Sequence, residues 1–274
     1  MKGLLPLLCT LAFVMLGGDA GHAAGAPVEL YQAKPIVTGT GEANRQIGFA
    51  LALEDVLVKV SGDPRLLGDP RVKELAKDAG ALVAEFHYRD RMEGIPIHDE
   101  QGSHDRPHDL TTIFAPEKID AVLASLGSRP WTGDRPTLTL LLIVEHGDRH
   151  FVLSSGNAPG IDMRDSLANA SVKMAIPVTL PSDAVLASVG LTESSKTKVD
   201  PIQLGIVALK TGGSVPLAGS LVWSDAELGW IADWVVGWNG RTYRWQIRGV
   251  SFDEAFRNAM RGAAQVLSGN GNPD

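Results

Sequence analysis

Only one cysteine, Cys9, occurs in 274 residues. That excludes an intramolecular disulfide and a thiolate metal cluster, so stability has to come from apolar burial, which a 44% hydrophobic content supports. Beyond the first 23 residues no apolar run is long enough to cross a bilayer. Basic charge is in deficit. Lys and Arg total 25 against 32 Asp and Glu, a net charge of −7 that argues against nucleic acid and anionic membrane as principal partners. The chain also lacks a G-x-S-x-G elbow, an H-E-x-x-H pair, a phosphate-binding glycine loop and a C-x-x-C motif. No catalytic residue and no cofactor is therefore assigned.

What is present begins with an address. Lys2 precedes the apolar run "LLPLLCTLAFVML" and the small-residue stretch "GGDAGHAAGA", the layout of a secretory signal peptide over residues 1–23. Leu8 lies before Cys9 within the apolar core, which excludes a lipobox. The mature chain is expected to start near Ala24 and to work in the periplasm. Losing segment 1–23 removes Lys2 and Asp19 together, so the net charge stays at −7.

Periodicity then predicts an α+β fold in two small domains, residues 24–156 and 157–268, with a disordered tail at 269–274. Mixed or antiparallel sheets carry helices packed on one face. "VELYQAKPIVTG" reads as a first strand, and from Glu42 the pattern is helical, with Ile47, Ala50, Leu51, Leu57 and Val60 as its stripe. "GDPR" occurs twice, at 62–65 and 68–71, each copy placing an aspartate N-cap before a proline at the first helical position. The second copy starts a helix over Pro70 to about Ala81. "VAEFHYRD" alternates, setting Ala84, Phe86 and Tyr88 on one face and Glu85, His87 and Arg89 on the other, and "DLTTIFAP" is its partner strand. A helix from Pro116 and the doubly apolar strand "TLTLLLIV" follow.

Around Asn239-Gly240, a dipeptide suited to a type I′ turn, "GWIADWVVGWNGRTYRWQIRG" predicts a Trp-rich β-hairpin with Trp234 opposite Trp245 and Val236 opposite Tyr243. Ser251 and Glu254 form a capping box for a last helix with Phe256, Ala259, Met260, Ala263 and Leu267 on its apolar face.

With "LYQAKPIV", "ALEDVLVKVSGDPRLL", "RPWTGDRPTLTLLLIVE" and the tryptophan hairpin in view, the chain resembles a family of exported bacterial proteins catalogued as a domain of unknown function, number twenty sixty-six. The resemblance implies export in Gram-negative bacteria. It brings no activity and no catalytic residue.

Two candidate sites remain. His98, His104 and His108 sit among acidic residues in "HDEQGSHDRPHD", but Pro107 and Gly102 prevent the helix that would align them, so they are weak metal candidates and a solvated hairpin loop is expected. Trp230 and Trp238 offer an aromatic surface, with Trp238 the more exposed beside the turn, although burial under the last helix is the expected fate of the hairpin face. The reading is a non-catalytic periplasmic binding or assembly protein of the cell envelope with an envelope protein partner. Its alternatives are a hydrolase-like envelope enzyme with an unrecognised site, or a peptidoglycan-binding module using the hairpin.

Overall fold

The computed structural model describes residues 28–95, 105–156, 158–191 and 201–273. The segment read as a signal peptide lies outside them. Two sheets organise the chain. The first begins with a break, because the strand expected over the first apolar stretch is a 3-10 turn (Val28–Tyr31) followed by two short strands, β1 (Gln32–Ala33) and β2 (Ile36–Thr38). Pro35 lacks an amide proton and disfavours continuation at Lys34, which divides the strand. Both pieces pair antiparallel with one side of β4 (Pro107–Phe114), and β3 (Val83–Asp90) pairs antiparallel with the other.

Helix α1 (Glu42–Ser61) covers one face of this sheet and ends at Gly62 in the left-handed conformation, φ 68°. Its buried stripe is Phe49, Ala52, Leu53, Val56 and Leu57, while the expected members Ile47 and Leu51 are exposed. Asp63 and Asp69 both cap as expected, accepting from the amides of Arg65 and Arg71 at 3.1 and 2.8 Å. The second cap starts α2 (Pro70–Ala76), shorter than the stretch predicted to Ala81. A separate 3-10 turn (Ala79–Leu82) completes the segment and buries Ala79. Helix α3 (Pro116–Ser125) buries Ile119, Val122 and Leu123.

The second sheet is mixed. It runs β10 (Arg241–Val250), β9 (Gly229–Trp238), β8 (Val215–Ser224), β5 (Leu138–His146), β6 (Arg149–Val152), with β7 (Val178–Thr179) also on β5. β5 lies parallel to β8 and to β7, and the other pairs are antiparallel. A parallel pair requires a crossover, supplied here by α4 (Ile161–Met174), α5 (Asp183–Ser188) and α6 (Pro201–Thr211). The sheet therefore spans the boundary expected at residue 156, taking β5 and β6 from before it and β8 to β10 from after it.

Helix α7 (Phe252–Leu267) lies on the inner face of β9 and β10 and against α4, with all five residues of its expected apolar face buried. On the opposite face Leu141 and Val152 form a small second cluster with Leu186, Leu191 and Val207. The two sheets are joined by one apolar core that runs from Tyr31 to Leu267.

Two features fasten that junction. Trp131 donates its amide to the Val60 carbonyl at 2.8 Å, and Arg135, stacked 4.1 Å from the Trp131 ring, donates to the carbonyls of Lys59 and Met174 at 2.8 Å each. Nearby, Lys59 is buried and donates to the carbonyls of Gln32 and Glu29 at 2.6 and 3.2 Å. Residues 269–273, expected to be a disordered tail, are tied down instead. Asn270 donates to the Ser61 carbonyl at 2.9 Å, an approach that the bare Gly62 permits because a β-carbon there would meet Ser268 at 2.7 Å.

Candidate functional site

The expected histidine cluster is only partly in view. His98 and His104 lie outside the described residues. His108 stands on β4, where its Nδ1 is 2.8 Å from the Arg106 carbonyl and its ring packs edge-on to Tyr88 at 6.0 Å. Among the described residues no group of three His, Cys, Asp or Glu side chains is placed to hold a metal. On α1 the adjacent carboxylates Glu54 and Asp55 have different partners. Glu54 accepts from the Gly68 amide at 2.6 Å, whereas Asp55 faces Lys173 at 3.4 Å.

The hairpin has the predicted register, Trp234 opposite Trp245 and Val236 opposite Tyr243. Trp234 is fully buried between Phe256 of α7 and Gly219 of β8, where a β-carbon would stand 2.4 Å from the indole. Trp245 is sealed in the same way by Gly262 of α7. Neither indole N–H finds a partner among the described residues. Trp230 is buried too, packed edge-on to Trp223 at 5.6 Å, and His146 closes the cluster at 5.3 and 5.5 Å. Trp238 is half-buried at the tip, beside a shallow depression lined also by Ser214, Pro216, Arg241 and Thr242. The hairpin face is thus largely core, and Trp238 is the residue of the pair left with an open side.

A surface feature that sequence reasoning missed is the free edge of β3. This eight-residue strand pairs with β4 and with no other described strand, which leaves a row of outward backbone donors and acceptors. Ala84, Glu85, Phe86, His87 and Arg89 are all exposed, Phe86 to 40%. The alternation was legible, but the edge was not, because edge status depends on what occupies the other side of β4. Pairing is regular from Glu85 to Asp90 after an irregularity near Val83. On the α1 side an aromatic row runs from Phe49 to Phe86 (5.3 Å), Tyr88 (6.0 Å) and His108, with the Arg45 guanidinium 5.2 Å above the Phe86 ring. On the other side stand Glu85, His87 and Arg89, and neither Glu85 nor Arg89 has an ion-pair partner among the described residues.

The strand end is held in place. Asp90 accepts from the Met92 amide at 2.7 Å, which with the Arg106 guanidinium at 3.3 Å keeps its carboxyl below the usual carboxylate range. Arg106 also donates to the carbonyls of Met92 and Ile95. β3 is thus anchored at this end and along β4.

Comparison with known proteins places this region in a class without an assigned activity. Residues 24–132, which hold the whole first sheet with α1 to α3 and end at Trp131-Thr132, match the model of a protein family. That family is described as a domain of unknown function, DUF8605, and not by the number that the sequence resemblance suggested. No curated protein matches the chain.

Proposed function

We propose that the protein is a non-catalytic binding or assembly protein of the Gram-negative cell envelope, acting in the periplasm after removal of segment 1–23. The observation that carries this reading is the open edge of β3, long, anchored at its end and flanked by an aromatic row whose Phe86 ring is exposed. An added strand would gain main-chain hydrogen bonds along the edge and specificity from alternate side chains, the two ingredients of recognition by strand addition. The signal-like amino terminus supports the location, and the acidic net charge fits a protein partner better than a polyanion.

A photoreactive amino acid at position 87 tests this in living cells. The expected result is a discrete crosslinked species in the periplasmic fraction that disappears when the reactive group is moved to Lys73 on the exposed side of α2. Absence of any crosslink from position 87 would end the reading of β3 as a binding edge. Recovery of an intact Met1 in the membrane pellet would end the periplasmic assignment.

A further inference from the structure

We propose that the strand seated on β3 is β3 of a second copy, running antiparallel about a two-fold axis through His87, so that two four-stranded sheets join into one of eight strands. This rests on reading β3 as a partner-binding edge, and it names the partner.

Side-chain order carries the inference. With the axis at His87, Glu85 of each copy stands opposite Arg89 of the other, Phe86 opposite Tyr88, and His87 opposite its own equivalent. Both charges, which lack an ion-pair partner among the described residues, thereby gain one, twice over. On the α1 face the row Phe49, Phe86, Tyr88 continues into Tyr88, Phe86 and Phe49 of the second copy, covering the exposed Phe86 ring. A perpendicular two-fold axis keeps like faces together, so α1 of both copies lies on the same side and the alternation is satisfied throughout.

Neighbouring registers fail. An axis at Tyr88 sets His87 against Arg89 and the Phe86 ring against Asp90. An axis at Phe86 leaves Arg89 opposite Val83, in the irregular part of the strand. An axis between two residues would place charged side chains against the aromatic face. Charges on an edge strand ordinarily repel an arbitrary incoming strand. Here they select one that carries the reverse order, and β3 read backwards is such a strand.

The test uses charge exchange on the purified processed chain. Wild-type protein should run at twice the chain mass by light scattering and dissociate on dilution. Glu85→Arg alone, and Arg89→Glu alone, each put like charges face to face at two symmetric places and should raise the dimer dissociation constant roughly ten-fold or more. The double exchange Glu85→Arg with Arg89→Glu restores opposite charges and should restore the dimer. Far-ultraviolet circular dichroism of all three verifies folding.

Register is read separately on the same processed chain, which carries no cysteine once segment 1–23 is removed. His87→Cys brings two cysteines to about 4.5–5.5 Å between Cα atoms, within disulfide reach, and should crosslink on mild oxidation. Glu85→Cys leaves its pair roughly 13 Å apart along the strands and should not. A wild-type chain that stays monomeric, or a dimer indifferent to the single exchanges, overturns the proposal. If the photoreactive group at position 87 still captures a different chain, the edge reading stands and only self-pairing falls.

Discussion

At the scale of single residues, Lys59 is a buried charge. Its ammonium is held by two carbonyl oxygens instead of a carboxylate, and burial lowers its pKa from 10.5 to about 8. The folded chain thus releases this proton at a lower pH than the unfolded chain, so the unfolded state binds more protons between these values and stability must rise with pH. The gain is absent below pH 8 and complete near 10.5, up to about 3 kcal/mol. Tyr31 acts in the opposite sense. Burial and its hydrogen bond to Asp120 push its phenol up to about 12, so its contribution is lost only above pH 10. Denaturant melts at pH 7.5, 8.5 and 9.5 should therefore show rising stability, and Lys59→Met should flatten the slope. A wild-type protein equally stable at all three would refute this account of Lys59. Trp234 poses the simpler question of core against surface. Truncation of it or of Trp245 to alanine should cost about 3–5 kcal/mol, while Trp238→Ala should cost much less. A folded, undiminished Trp234→Ala protein would contradict its enclosure by Phe256 and Gly219.

At the scale of elements, helix α7 shows two effects in competition. Ala exceeds Gly in helix propensity by about 1 kcal/mol, yet a β-carbon on Gly262 would stand 2.4 Å from the Trp245 ring, and overpacking costs roughly 1–3 kcal/mol. Gly262→Ala should therefore destabilise, whereas Gly205→Ala in α6, where nothing lies within 4 Å, should be neutral or stabilising. Thermal melts of the two variants, expected to shift in opposite directions, check both signs. The same contrast explains which elements were legible in the sequence. Helix α7, the hairpin register and the caps at Asp63 and Asp69 rest on local chemistry, namely Ser251 on the Glu254 amide, Asn239-Gly240 in the turn, and aspartate before proline. In α1 the run "FALALEDVLVKV" is apolar on more than one side, so period alone admitted the stripe through Ile47 and Leu51. Packing against Leu110 and Val37 selected the other face. Whether β3 is central or peripheral depends on β1 and β2, some fifty residues away, and no local pattern reports it.

At the scale of the whole molecule, Arg135 ties α1 to α4 at the junction of the two sheets, beside the apolar core that they share. Arg135→Ala would leave the carbonyls of Lys59 and Met174 without their donor and remove the stack on Trp131. The expected cost is about 2–4 kcal/mol, from roughly 1–3 for each polar group left unpaired, partly relieved by water. Tryptophan fluorescence and far-ultraviolet circular dichroism should trace one transition in the wild type and two separated transitions in this variant, since five of the six tryptophans lie in the second sheet. Coincident curves in the variant would show that the apolar core alone couples the sheets. A different consequence follows from the parallel pair of β5 and β8, where Leu138 meets Val215. As the chain emerges from the ribosome or a translocation pore, all of the first sheet is available early, but β5 must wait some seventy residues for its neighbour. Throughout that interval "LTLLLIVE" is an apolar strand with one long side bare, the situation in which chains associate with one another. Chains ending near residue 212 should therefore aggregate or engage a chaperone, and chains ending near residue 132 should not. Sedimentation of the two truncated products after synthesis in vitro distinguishes them.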